Sequence, residues 1–125
     1  MKTGFYTEKG PRAIGPYCTA VTSGGMIFCS GMLGINPETG KLAEGGIEAQ
    51  TAQSIANIRT VAAELGVSLD DAVKTTVFLT DMAVFPKVNA IYAEAFGANP
   101  PARTCVAVAA LPMTALVEIE VIFAK

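Results

Sequence analysis

The stretches Pro101-Ala102-Arg103-Thr104-Cys105 and Val117-Glu118-Ile119-Glu120 place one cation and two carboxylates inside apolar segments of a 125-residue chain. Alternate residues of a β-strand face the same way, so Arg103 and Cys105 are expected to share one face of the first strand. The same alternation puts the two glutamates side by side, opposite an apolar row. From spacing alone, an ion pair between the arginine and one glutamate is favoured over an anion-binding site.

The hydrophobic pattern around these segments predicts six strands and two helices. The predicted strands are Thr3 to Tyr6, Ala20 to Ser23, Met26 to Ser30, Val73 to Thr80, Ala102 to Ala109 and Val117 to Phe123. Gly24-Gly25 is typical of a tight hairpin. Apolar residues at helical spacing predict one helix from Gly46 to Leu65 and a second that starts near Pro86 and ends at Gly97. Two amphipathic helices shield only one face of such a sheet, so the other face is expected to meet another subunit.

Composition favours a single domain over residues 1–125 that self-associates, because 51% of the residues are hydrophobic and only 16% are charged. The net charge is -2 and the three arginines are scattered, which argues against nucleic acid as a partner. The pattern contains neither a secretion signal nor a membrane span, so no membrane partner and a cytoplasmic location are expected. Three cysteines, an odd number, are typical of reduced thiols in that compartment.

The absence of histidine narrows the chemistry available to the chain. Proton transfer has to use a carboxylate, tyrosine, lysine, thiol or water, and a Ser-His pair is excluded. The glycines lack the spacing of a Walker loop or a dinucleotide fingerprint, and no acidic metal cage is recognisable. No cofactor and no metal are therefore expected.

Several short motifs follow one another in a fixed order along the chain. They are Ala13-Ile14-Gly15-Pro16-Tyr17, Ser30-Gly31, Asn36-Pro37 with Thr39-Gly40, Lys74-Thr75-Thr76-Val77-Phe78, Val88-Asn89-Ala90 with Tyr92, Pro101-Ala102-Arg103-Thr104-Cys105-Val106, Leu111-Pro112 and Glu118-Ile119-Glu120. Their order and spacing, from about residue 13 to residue 121, resemble the RidA/YjgF family. Met32 and Gly34 depart from the common pattern of that family, so the preferred side chain of a substrate stays open.

The resemblance implies a chorismate-mutase-like α+β fold, with a six-stranded mixed sheet and two helices packed on one face. It also implies a homotrimer with a site at each subunit interface. The implied activity is that of a 2-iminobutanoate/2-iminopropanoate deaminase, which hydrolyses reactive 2-imino or 2-enamino acids such as 2-aminoacrylate to 2-oxo acids and ammonia. The partner would thus be a small 2-imino, 2-enamino or 2-oxo acid.

Three residues are predicted to be catalytic. The planar guanidinium of Arg103 suits a carboxylate, which it can bind through two parallel hydrogen bonds, and the resemblance implies the same role. Glu118 is implied to orient and activate water. Cys105 is implied to cradle the substrate through its backbone N–H, and covalent catalysis by its thiol is disfavoured because no histidine can activate it.

Four further residues are predicted to bind substrate, together with Arg103 and Cys105. By resemblance, Tyr17 closes the pocket, Ser30 and Gly31 border the ligand, and Asn89 orients ligand or water. Each has a plainer interpretation: ordinary packing for the tyrosine, a strand end for Ser30-Gly31, and a solvated helix residue for the asparagine. Glu120 is interpreted as a structural or interface charge.

Two other functions remain open at this point. A noncatalytic protein that binds small carboxylates or regulates a partner enzyme is the main alternative. RNA cleavage or inhibition of translation is also attached to members of the family, but net acidity and the lack of histidine disfavour it.

Overall fold

The computed structural model describes residues 1–125 and contains seven strands and two helices. The strands are β1 (Thr3–Phe5), β2 (Ala20–Ser23), β3 (Met26–Cys29), β4 (Met32–Leu33), β5 (Ala72–Leu79), β6 (Ala102–Ala107) and β7 (Val117–Ala124). The helices are α1 (Gly46–Glu64) and α2 (Phe85–Phe96). The six predicted strands and both predicted helices are present, with ends that differ by two residues or fewer. Strand β4 was not predicted, because two residues are too few to show a period.

All seven strands form one mixed sheet in the order β1-β2-β3-β7-β5-β6, and β4 also pairs with β7. Only the β5–β6 pair is parallel. Along β7, β3 pairs near Ala124 and Ile122, and β4 pairs near Ile119 and Glu118. Ser30-Gly31 therefore lies where the strand beside β7 is interrupted. The α+β fold expected from the sequence is confirmed.

The hydrophobic core lies between the helices and one face of the sheet. The apolar row of β7 is at most 1% exposed: Val117, Ile119, Val121 and Phe123. From α1, Ile55, Ile58 and Val61 join the same core, and from α2, Val88, Tyr92 and Phe96. Neither helix combines the length and the apolar run that a membrane crossing requires.

Local sequence signals account for several element ends. Gly24 and Gly25 have φ angles of 58° and 78°, a left-handed turn that joins β2 to β3 as predicted. Ser68 and Asp71 form a capping box just before β5. Pro86 lies in the first turn of α2. Proline is favourable there because backbone N–H groups of the first turn make no hydrogen bond within the helix.

The face of the sheet opposite the helices carries uncovered apolar side chains. Phe28 on β3 is 45% exposed and Val106 on β6 is 39% exposed. Phe28 pairs with Ile122 of β7, and Val106 pairs with Phe78 of β5, so these side chains lie on one face. We call it the open face; the glutamates of β7 lie on it as well.

Candidate functional site

Arg103 lies on edge strand β6, beneath α2, where three side chains hold its guanidinium. Arg103 Nη1 donates a hydrogen bond of 2.7 Å to Asn89 Oδ1. The guanidinium carbon is 4.7 Å from the ring centroid of Tyr92 and 5.3 Å from that of Phe85, within the range of cation–π contacts. A neutral amide and two rings orient the cation without cancelling its charge, so its other N–H groups can bind an anion.

Tyr92 is itself fixed in place. Its hydroxyl and Thr75 Oγ1 share a hydrogen bond of 2.6 Å, and its ring centroid is 4.4 Å from that of Phe96. Burial raises the pKa of Tyr92, so the hydroxyl stays protonated at neutral pH. The Tyr92 ring that contacts the Arg103 guanidinium is therefore fixed in position and uncharged. From the sequence, Tyr92 was assigned to the apolar stripe of α2 and to a family motif but not to the site, although its position three residues after Asn89 puts both on one side of the helix.

Arg103 and the glutamates lie on opposite faces of the sheet. Strand β5 pairs Thr75 with Arg103 on one side and Phe78 with Glu118 on the other. Thr75 is fully buried beneath the helices, whereas Phe78 belongs to the open face. Spacing alone predicted an ion pair between Arg103 and a glutamate of β7. That prediction is wrong within this chain.

Cys105 faces the same way as Arg103, as the alternation predicted, and packs against the edge of the core. Burial raises the pKa of the Cys105 thiol, and the nearby Arg103 guanidinium only partly offsets this. The thiol stays protonated near neutral pH and is a weak nucleophile. Covalent catalysis by this sulfur is therefore disfavoured.

Glu118 lies on central strand β7 and projects from the open face. A methyl group at Gly31 would lie 2.7 Å from both Cδ and Oε1 of Glu118, too close for non-bonded atoms. Because glycine has no side chain, the carboxylate of Glu118 fits beside residue 31. Burial, and after it the charge of Glu120, raises the pKa of Glu118 above its ordinary value of 4.5. A carboxylate with a raised pKa is a stronger base, which suits it to take a proton from water.

Glu118 lines a cavity of about 480 Å³, a volume that includes its open mouth, and we call it the Glu118 cavity. Tyr17, Ser30 and Gly31 line it too, so four predicted site residues lie together. Its walls also include Ile14, Leu33, Ile35 and Pro112. This combination of apolar walls with a few polar groups is typical of small-molecule sites.

The two hydroxyl groups in this cavity are already partly engaged. Ser30 Oγ donates a hydrogen bond of 2.7 Å to the carbonyl of Cys18, which uses its hydrogen. The Tyr17 hydroxyl accepts a bond of 3.2 Å from the backbone N–H of Ile14, so its own hydrogen remains free to donate. In one chain, Tyr17 can thus offer a donor to a ligand while Ser30 offers an acceptor.

Arg103 lines a separate space between α2 and the start of β6, which we call the Arg103 cleft. Asn89, Tyr92, Pro100 and Pro101 line it as well. No residue lines both this cleft and the Glu118 cavity. A single chain therefore brings the predicted residues together as two subsets rather than as one site.

Buried polar side chains of α1 fix the segment that borders the Glu118 cavity. Ser54 Oγ donates to the carbonyl of Met32 at 2.7 Å. Asn57 Nδ2 donates to the carbonyls of Leu33 and Ile35, at 3.1 and 2.8 Å. These bonds satisfy backbone groups that the short strand β4 would leave buried and unpaired. Neither residue was predicted from the sequence, although polar residues at helical spacing on the buried face of α1 are the signal that marks them.

Arg12 was also missed. It is the only cation among the 13 residues that line the Glu118 cavity. In the sequence it is one of three scattered arginines, although it directly precedes the motif that begins at Ala13.

Comparison with known proteins identifies the family. The chain matches the model of the Endoribonuclease L-PSP family over residues 7–125. It is 44% identical over 126 residues to the 2-iminobutanoate/2-iminopropanoate deaminase of Salmonella typhimurium, with 98% of this chain and 97% of that protein covered. It is also 44% identical to a RutC family protein of Pyrococcus horikoshii, with 100% and 99% covered.

Solved structures agree closely with the fold. RidA from an Antarctic Psychrobacter species matches with a TM-score of 0.94 at 41% identity, over 98% of this chain and 99% of that one. Escherichia coli TdcF, solved with bound serine, matches with a TM-score of 0.92 at 35% identity, over 98% of each chain. This chain therefore belongs to the Endoribonuclease L-PSP family, which comprises the RidA/YjgF proteins, and the resemblance inferred from its motifs is confirmed.

Proposed function

We propose that this protein is a cofactor-independent deaminase that hydrolyses small 2-imino acids, and their 2-enamino tautomers, to 2-oxo acids and ammonia. The observation that carries the proposal is the Arg103 guanidinium, which is held by neutral and aromatic groups with its charge left uncompensated. A relative that is 44% identical is named 2-iminobutanoate/2-iminopropanoate deaminase, which supports the same reaction. The proposal includes the cytoplasm as its location and 2-aminoacrylate among its substrates.

The reaction replaces a C=N bond by a C=O bond. Water adds to the imine carbon, the C–N bond of the resulting carbinolamine breaks, and the nitrogen leaves as ammonia while the oxygen stays. In this proposal Glu118 takes one proton from the attacking water and passes it to the imine nitrogen, and it then moves the remaining hydroxyl proton to the same nitrogen as the C–N bond breaks and the C=O bond forms. Its half-buried position and raised pKa support that role.

The other predicted residues bind and orient the substrate in this proposal. Arg103 holds the carboxylate next to the imine carbon, and Asn89 fixes the guanidinium. Tyr17 donates its free phenolic hydrogen, while Ser30 and the backbone N–H of Cys105 border the substrate. Positioning of this kind is worth about 10²- to 10³-fold for each key donor, enough for imines that already hydrolyse in water.

A homotrimer with its sites at the subunit interfaces is part of the proposal. Arg103 and Glu118 lie on opposite faces of one chain, so a complete site needs the cleft of one copy against the cavity of another. Such a contact joins two different surfaces, and contacts of that type form a ring when the rotation between neighbouring copies closes. The exposed apolar side chains of the open face support burial there. Family resemblance is the reason for choosing three copies.

A coupled assay tests the proposed activity. A threonine dehydratase supplies 2-iminobutanoate, and release of 2-oxobutanoate is followed with and without this protein. We expect faster release with the wild type and a loss of about 10²-fold in Arg103→Ala, because the carboxylate anchor is gone. Arg59→Ala, which removes an exposed arginine of α1, is the matched control and should keep its activity. Release no faster than with the dehydratase alone would contradict the proposal.

A noncatalytic carboxylate-binding protein is the second candidate. It is favoured by the structure of Escherichia coli TdcF, which is described with bound serine, an amino acid without a C=N bond. Binding of serine or a 2-oxo acid with no turnover of any imine, and with unchanged affinity in Glu118→Gln, would support this function instead.

A further inference from the structure

The Glu118 cavity contains one cation, Arg12, and one carboxylate, Glu118. Apolar side chains make up much of the wall, among them Ile14, Leu33 and Ile35. A substrate side chain in this cavity would therefore meet methyl and methylene groups along the walls and a guanidinium at Arg12. That combination suits a short carbon chain that ends in an anion.

The loop that carries Arg12 is fixed on both sides of this residue. The backbone N–H of Gly10 donates to Thr7 Oγ1 at 2.8 Å, and that of Ile14 donates to the Tyr17 hydroxyl at 3.2 Å. Pro11 adds a restricted φ directly before Arg12. The hydrogen bonds of this loop use other groups, so the Arg12 side chain is not needed to hold the loop in place.

We propose that Arg12 is a specificity-determining residue that favours 2-imino acids whose side chain ends in a second carboxylate. The inference rests on the proposed function. Arg103 of a neighbouring copy would hold the carboxylate beside the imine carbon, and Glu118 would act at that carbon. The side chain would then extend along the apolar wall, and its carboxylate would reach Arg12. A guanidinium suits this task because it binds a carboxylate through two parallel hydrogen bonds.

Glu118 is the one carboxylate that lines the cavity together with Arg12, so any preference of Arg12 for a second carboxylate has to act in the presence of that negative charge. An adjoining groove shares Arg12 with the cavity and is also lined by Lys9 and Glu8. These two side chains carry opposite charges, so together they add none. Because Arg12 is solvent-exposed, its preference for a dianion should be modest, about fivefold, and should weaken as salt is added.

A size-matched pair of substrates tests the inference. 2-Iminobutanoate and 2-iminosuccinate both have four carbons and differ in a terminal methyl against a terminal carboxylate. The first is supplied by threonine dehydratase and the second by an aspartate oxidase, with the protein in its native assembly. We expect the ratio of kcat/KM for iminosuccinate to that for iminobutanoate to fall about fivefold in Arg12→Ala. The ratio should be partly kept in Arg12→Lys and unchanged in Arg59→Ala.

The outcomes separate this inference from the proposed function. If the wild type hydrolyses 2-iminobutanoate and the ratio is the same in Arg12→Ala, the role of Arg12 is overturned while the deaminase stands. If neither imine is hydrolysed, calorimetric titration with 2-oxoglutarate and 2-oxopentanoate, a five-carbon pair, decides. A loss of preference for 2-oxoglutarate in Arg12→Ala supports the inference; no preference in the wild type, or no binding of either acid, overturns it.

Discussion

In the Arg103 cleft, aromatic faces and a neutral amide hold a cation, whereas in the Glu118 cavity a half-buried carboxylate lies beside a glycine and within the electrostatic influence of Glu120. The cleft leaves its positive charge available, and the cavity raises the pKa of its acid. The cleft contains no carboxylate, and the only cation of the cavity, Arg12, is exposed on a loop. The comparison shows that Arg103 and Glu118 lie on opposite faces of the sheet, so under the proposed function the two regions are halves of a site that two copies have to complete.

The two regions also differ in what supports them. The cleft depends on α2, which contributes Asn89, Tyr92 and Phe85 to the guanidinium. The cavity depends on α1, whose Ser54 and Asn57 bind the backbone beside it. A change in one support should therefore affect one half-site and spare the other.

Mixing two inactive variants gives the largest expected effect. Arg103→Ala damages only the cleft and Glu118→Gln damages only the cavity, so each protein alone should lose most imine hydrolysis. When the two are unfolded together and refolded in equal amounts, about a quarter of the interfaces should combine an intact cleft with an intact cavity. Activity should return to about that fraction of the wild type.

The control for this experiment is each variant refolded alone at the same total concentration. Mixing without unfolding should restore activity only as fast as the subunits exchange. If activity does not return although native mass spectrometry shows mixed assemblies, both halves must act within one chain, and the comparison fails.

Gly31→Ala should damage the cavity without touching the cleft. The added methyl group would collide with the Glu118 carboxylate at 2.7 Å. We expect about 10²-fold lower activity because Glu118 is displaced, and a loss of about 1 to 3 kcal/mol in the free energy of unfolding from overpacking. Urea unfolding and the coupled assay measure the two effects.

A double-mutant cycle checks the cause. In a Glu118→Ala background the collision partner is absent, so Gly31→Ala should change the unfolding free energy little. An equal loss in both backgrounds would mean that the backbone at position 31, rather than the space beside Glu118, requires glycine.

Asn57→Ala should destabilise the side of the molecule that contains the cavity. It leaves the carbonyls of Leu33 and Ile35 buried without their donor. We expect a loss of about 2 to 4 kcal/mol in the free energy of unfolding, measured in urea. Thr60→Ala is the control, since the Thr60 hydroxyl bonds only within α1, to the carbonyl of Ala56. Equal losses for both variants would show that the bonds from α1 to β4 contribute nothing specific.

The smallest expected effect is on pH dependence. Burial, then Glu120, raises the pKa of Glu118 above 4.5, so the folded state binds this proton more tightly than the unfolded chain does. The resulting stability is fully present below the unfolded pKa and is lost as the pH rises through the folded pKa. Across that interval the wild type should therefore lose stability relative to Glu118→Gln, as urea unfolding at several pH values would measure.

Glu120→Gln sharpens this test. Removing the neighbouring charge should lower the pKa of Glu118, which carbon-detected NMR can follow at the carboxyl group. A pKa unchanged in Glu120→Gln would mean that burial alone raises it. A pKa of 4.5 or below in the wild type would remove the basis for treating the cavity as the basic half of the site.

Much of the fold could be predicted because its signals are local. The strict alternation in β7, the paired glycines before β3 and the apolar stripes of both helices each follow from neighbouring residues. Strand β4 could not be predicted, because its backbone is fixed by residues distant in the chain: it pairs with β7, and Ser54 and Asn57 of α1 donate hydrogen bonds to the backbone of this segment. The face shared by Arg103 and Cys105 was predicted correctly because it needs only the two-residue period of one strand.

The sequence by itself determined the family, both helices, six of the seven strands, and the facing of each side chain along those strands, since these depend on order and short-range spacing. Only the tertiary structure decided that Arg103 and Glu118 lie on opposite sides of the sheet, because that depends on how β5 pairs with β6 and β7. The same holds for the close approach of Gly31 to Glu118 and for Arg12 at the cavity. Each of these joins residues distant in the chain, and such neighbours are fixed by strand pairing and packing rather than by local pattern.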